Sequence, residues 1–84
     1  MIILDAARMK TKEEAHCYLR QQLSFPAYYG KNLDALFDCL TDLDETDIEF
    51  VNLNAGAESY FSSILSVFRE AEAENSRLHL SYRL

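Results

Sequence analysis

Asp34, Asp38, Asp42 and Glu45 follow one another at intervals of four, four and three residues. On a helix turning about 100° per residue, that spacing gathers all four on one side. Like charges at i and i+4 repel by about 0.2–0.5 kcal/mol, so stability alone gives little reason to keep the Asp34–Asp38 pair. The macrodipole excuses Asp34 near a helix start, but Asp38 lies beyond the first turn. Such a face is either a solvated surface or a site for a cation brought from outside. An acid–base pair is a third reading, because glycosidase carboxylates stand about 5–9.5 Å apart. A convex helix in an 84-residue chain offers little cleft to exclude water, which argues against an enzyme. Two carboxylates one turn apart hold Mg²⁺ or Ca²⁺ weakly. The chain has no His-x-x-His or Cys-x-x-Cys spacing, so no metal, cofactor or catalytic residue is expected. His16 and His79 stand alone on separate segments and read as structural or surface residues. Adjacent Tyr28 and Tyr29 cannot both point into a core, so one is packed and the other presented.

The segments that carry these residues are legible. Ile2-Ile3-Leu4, ended by Asp5, is a β-prone run. Thr11-Lys-Glu-Glu14 is a capping box, behind which Ala15, Tyr18, Leu19 and Leu23 recur at helical spacing. Pro26 disfavours the helical region at Phe25, so this helix should stop near Ser24. Asn32 is a suitable N-cap for a second helix whose apolar side is Leu33, Leu36, Phe37, Leu40 and Leu43. Thr46-Asp47 break the pattern, and Ile48, Phe50, Val51 and Leu53 form a second strand candidate. Asn54-Ala-Gly56 reads as a turn. A long amphipathic helix follows from Ala57 to about Asn75, which could end it in the left-handed conformation. Leu78, Leu80, Tyr82 and Leu84 alternate as a last strand. The order strand, helix, helix, strand, helix, strand favours a small α/β fold, with three parallel strands joined by right-handed crossovers and helices packed against them.

The whole chain is consistent with one domain over residues 1–84. With 49% hydrophobic and 26% charged residues, two Gly and one Pro, it is an ordinary globule without linker, repeat or low-complexity tract. The formal net charge of −6 repels nucleic acid and anionic membranes and attracts a basic partner. Cys17 and Cys39 are too sparse for a disulfide scaffold and are expected to be reduced, with Cys39 near the apolar side of its helix. The opening MIILDAARMK has too short an apolar run for a signal peptide, and no segment approaches a membrane span, so the cytoplasm is the expected compartment.

Residues 25–40, FPAYYGKNLDALFDCL, resemble the barstar family, the intracellular inhibitors of barnase-type secreted bacterial ribonucleases. Pro26, Tyr28, Tyr29, Gly30, Asn32, Leu33, Asp34, Ala35, Leu36 and Asp38 fill the family's pattern. AGAESYFSSILSVFREAEAE is similar to its C-terminal helix, above all at Gly56-Ala57-Glu58-Ser59 and Val67-Phe68-Arg69-Glu70-Ala71. The resemblance implies a monomer that forms a 1:1 complex through its second helix and the preceding loop. Asp38 would be the central phosphate mimic, facing the nuclease's arginines and catalytic histidine, with Asp34 beside it. Tyr28 would stack near that histidine; Gly30, Asn32 and Thr41 would add contacts, and Glu70 a further acidic one. Phe37 and Leu43 stand where the family has tryptophans, Lys31 where it has an acid, and Asp42 where it has a glycine. Phe37 can still pack at the surface but lacks the indole donor. Besides a ribonuclease inhibitor, these departures admit an immunity or interaction module for another basic toxin or a non-nuclease partner.

Overall fold

The computed structural model describes residues 1–83. Its elements are β1 (Ile2–Asp5), α1 (Lys12–Gln22), α2 (Leu33–Thr41), β2 (Thr46–Val51), α3 (Phe61–Glu74) and β3 (Leu78–Tyr82). Short 3-10 turns, Ala6–Arg8 and Leu53–Gly56, follow β1 and β2. The strands form one parallel sheet in the order β1-β2-β3, with Ile2 opposite Ile48, Leu4 opposite Phe50 and Thr46 opposite Leu78. The expected small three-stranded α/β architecture is the one observed.

One face of the sheet makes the core. Leu4, Ile48, Phe50 and Leu78 are buried there in a cluster shared with Ile64, Phe68 and Ala71 of α3 and Leu36 and Leu40 of α2. Phe50 meets Phe68 edge-on, with ring centroids 5.0 Å apart. The helix α2 packs alongside α3. On the sheet's other face, Ile3, Glu49 and Ser81 align across the strands and are exposed or half-buried. This period-two alternation differs from the continuous apolar strands of a parallel sheet covered on both faces.

Several boundaries differ from the sequence reading, each for a local or tertiary reason. The strand β2 begins at Thr46, where a break was expected, because Thr46 N–H donates to Arg77 C=O and the ladder captures both residues. It ends at Val51, and Leu53 opens the expected turn. The helix α3 starts at Phe61 rather than Ala57: Glu58 is left-handed at φ 59°, and Ser59 Oγ donates to Gly56 C=O at 2.6 Å. The helix α2 closes at Thr41, which leaves Leu43 and Glu45 beyond it and pairs Glu45 with His79. Asn75 is extended, with φ −125°, not left-handed. Its buried amide instead donates to Leu40 C=O and Leu43 C=O, both at 3.0 Å, and so ties the end of α2 to the end of α3. Leu84, expected in the last strand, lies outside the described residues.

Candidate partner-binding site

Asn32 starts α2 as expected. Its Oδ1 accepts from Ala35 N–H at 2.7 Å, and its Nδ2 donates to Gly30 C=O at 3.2 Å. This side chain, expected to touch a partner, is spent on building the turn into the helix. Leu36 and Leu40 anchor the inner side of α2, and Phe37 is half-buried against the core. Asp34 and Asp38 are exposed on the outer side, and Asp42 caps the C-terminus. The Thr41 hydroxyl donates to Asp38 C=O at 3.0 Å, leaving its oxygen lone pairs for an incoming donor.

The loop before α2 is built by a helix stop without glycine. Ser24 takes the left-handed conformation at φ 56°, and Phe25 N–H returns to Arg20 C=O at 3.0 Å. Phe25 is buried, and Tyr29 N–H closes a turn onto Pro26 C=O. Tyr29 is then buried while Tyr28 is 88% exposed, which is the division expected of the pair. Gly30 is cramped rather than left-handed: a Cβ there would sit 3.2 Å from Asn32 Nδ2 and 3.3 Å from Ala35 Cβ. Lys31 carries the left-handed backbone instead, at φ 53°.

Behind this loop His16 is fully buried on α1, its Nδ1 2.7 Å from Tyr29 Oη and its Nε2 2.8 Å from Tyr60 Oη. Burial, aided by the nearby Lys12 charge, lowers the imidazole pKa and keeps the ring neutral. Burial likewise raises the Tyr29 and Tyr60 phenols. The structural reading of His16 holds.

A groove of about 410 Å³ runs between the loop and α2, with Phe25, Pro26 and Leu43 among its apolar walls and Tyr28, Asp38 and Asp42 among its polar ones. A second hollow of about 310 Å³ lies against Asn32, Asp34, Lys12 and Tyr60. Glu70 is exposed on α3 and lines neither hollow. Four ion pairs occur among the described residues: Arg8–Glu14, Arg77–Asp44, His79–Glu45 and Arg83–Glu49. None of them engages Asp34, Asp38 or Asp42. Cys17 and Cys39 are both free thiols. Cys39 is half-buried, and burial together with the Asp38 and Asp42 charges pushes its pKa up, so it is a poor nucleophile. The arrangement presents carboxylates with open lone pairs to an approaching cation, beside an exposed aromatic ring.

Two features escaped the sequence reading. The groove walls Phe25, Pro26 and Leu43 read only as a helix stop and a core face. Tyr60 read as part of a helix face, although it meets His16 from 44 positions away. His16 itself falls at i, i+3, i+7 with Leu19 and Leu23, a stripe that marks it as inward-facing.

Comparison with known proteins agrees with this architecture. A Bacillus subtilis (strain 168) protein named "Putative ribonuclease inhibitor YrdF" is 44% identical over 80 residues, covering 87% of this chain and 86% of the relative. Residues 1–84 match the family described as Barstar (barnase inhibitor). With the whole length matched and the parallel sheet in place, the chain belongs to the Barstar family.

Proposed function

We propose that this protein is an inhibitor, not an enzyme, and that it blocks a basic barnase-type ribonuclease by seating α2 and the preceding loop in the nuclease active site. The observation that carries this reading is the uncompensated acidic face: among the described residues Asp34, Asp38 and Asp42 join none of the four ion pairs, Asp38 and Asp42 line the Tyr28 groove, and Asp34 lines the neighbouring hollow. Asp38 occupies the place of a substrate phosphate, where an arginine can grip it with paired, charge-assisted hydrogen bonds. Asp34 adds charge beside it, and their mutual repulsion is relieved when the cation arrives. Tyr28, Gly30, Phe37 and Thr41 contribute surface around that contact, Asn32 frames it, and Glu70 adds a more distant acidic contact. Such a protein acts as a monomer in a 1:1 complex in the cytoplasm of a bacterium, as one domain over residues 1–84, and needs no cofactor or metal. The ribonuclease assignment draws its support from the family and from the name of the Bacillus subtilis relative.

The test is RNA cleavage by several barnase-type nucleases with increasing amounts of this protein. Stoichiometric loss of cleavage is expected; undiminished cleavage by all of them at micromolar inhibitor overturns the proposal. Lys31, Phe37, Asp42 and Leu43 favour a second reading, a module for a different basic toxin or a non-nuclease partner. Capture from native cells that recovers only non-nuclease proteins would select it.

A further inference from the structure

The loop that presents Tyr28 has one deep internal anchor between Phe25 and the Asn32 cap. Tyr29 is buried with its ring against Phe25, centroids 4.9 Å apart, and its hydroxyl meets His16 Nδ1. No other hydrogen bond to that hydroxyl occurs among the described residues. A neutral imidazole has one N–H donor and one bare acceptor, so the two tyrosines must take opposite roles. Were Nδ1 the donor, the buried Tyr29 hydrogen would lack an acceptor, which is costly. With Tyr29 donating to Nδ1, Nε2–H donates to Tyr60, whose own hydrogen can reach solvent because Tyr60 is only half-buried. This polarity leaves no polar atom of the Tyr29–His16–Tyr60 relay unsatisfied.

The far end of the chain is equally well placed. Tyr60 immediately precedes α3, its N–H donates to Lys10 C=O at 3.1 Å, and its side chain lines the hollow beside Asn32 and Asp34. It is therefore fixed by its backbone on one side and reaches the binding surface on the other. Between these supports, Lys31 sits in a left-handed conformation that a non-glycine residue keeps only when its surroundings hold it there.

We infer that His16 and Tyr60 are positioning residues for the partner-facing loop, acting through a directed buried chain in which Tyr29 Oη–H donates to His16 Nδ1 and His16 Nε2–H donates to Tyr60 Oη. The pose of Tyr28 through Asn32 is thus set from the start of α3, by a residue distant in sequence from the loop. The part of this inference that concerns binding rests on the ribonuclease-inhibitor reading; the part that concerns loop order does not.

Tyr60→Phe is the sharpest variant, because the ring stays and only the hydroxyl is lost. His16→Gln keeps a donor and an acceptor, whereas His16→Leu keeps neither. In free wild-type protein, imidazole ¹⁵N spectra should show the proton on Nε2. Amide exchange at residues 28–32 should quicken in Tyr60→Phe and His16→Leu, with the sheet amides of Ile48 and Phe50 unchanged, and should return towards wild type in His16→Gln. Against an inhibited barnase-type ribonuclease, Tyr60→Phe should leave association unaltered and dissociate about threefold to tenfold faster, the loss of one ordinary hydrogen bond. A proton on Nδ1, loop exchange unchanged in Tyr60→Phe, or loop and sheet amides quickening together would overturn the inference. Should the wild type inhibit no ribonuclease, the proposed function fails while imidazole spectra and exchange still decide the positioning role. His16→Leu failing to fold would leave that decision with Tyr60→Phe.

Discussion

Asp38 and Asp34 have the same side chain but different circumstances. Asp34 lies in the first turn of α2, where the helix dipole favours it, whereas Asp38 has no such internal compensation and borders the groove. Asp38→Ala should therefore leave thermal unfolding close to wild type and weaken ribonuclease binding by about 2–5 kcal/mol or more, the general cost of stripping one side of a buried interfacial charge pair, for which the barnase–barstar complex is itself a reference case. Calorimetric titration and a melting curve on the same variant check both halves; a lost fold or an unchanged affinity contradicts the assignment. Gly56 tests packing rather than binding. A Cβ there would stand 2.8 Å from Phe61 Cδ2 and 2.9 Å from Ala6 Cβ, closer than side-chain atoms tolerate. Gly56→Ala should cost about 1–3 kcal/mol of stability by overpacking, read from its denaturant midpoint. A midpoint equal to wild type would mean that Phe61 can swing aside.

Element by element, the positions of secondary structure were readable where the signal was local, except at the start of α3, where left-handed Glu58 and the Ser59 turn delay the helix to Phe61. The Thr11 and Asn32 caps both form: Thr11 Oγ1 accepts from Glu14 N–H, although the Glu14 side chain turns to Arg8 instead of completing the box. The ends set by other elements were not readable. The close of α2 depends on Asn75 reaching Leu40 and Leu43 from the end of α3, and nothing within residues 33–45 announces it. The acidic face was legible in spacing alone, but only the fold shows that Asp34, Asp38 and Asp42 are free of the ion pairs among the described residues while Glu45 leaves the face to pair with His79. His16 joins α1, the loop and the start of α3, and its titration gives a pH prediction for that junction. Its folded pKa is lowered from 6.5, so the unfolded chain takes up the proton first. The contribution of the neutral ring is complete above pH 6.5 and declines as pH falls below it, until the folded pKa is also passed. Urea unfolding should show stability declining from pH 7 towards 5.5, about the range in which an unperturbed histidine titrates. His16→Gln should flatten that slope. An equal slope in the variant would assign it to other groups.

Across the whole molecule, a net charge of −6 and an unpaired acidic helix act together on encounter. Opposed fields can raise association rates by about 10–10³-fold, and at 0.1 M salt they are screened within about 10 Å. Stopped-flow mixing with a basic ribonuclease should show association slowing steeply as salt rises, with dissociation much less affected. Lys31→Glu should accelerate association at low salt, because it replaces the cation beside Asn32 with an anion. Rates indifferent to salt would exclude a cationic partner surface. The parallel sheet has a further consequence for how the molecule comes into being. Ile2 has its rung at Ile48 and Thr46 has its rung at Leu78, so β1 and β2 must each wait for chain made much later. Closing such distant rungs costs entropy before it returns any contact energy, and chains of this kind ascend slowly to the native state. A growing polypeptide thus contains all of α2 before it contains the finished sheet with which that helix shares its core. Readiness is decided at the last strand.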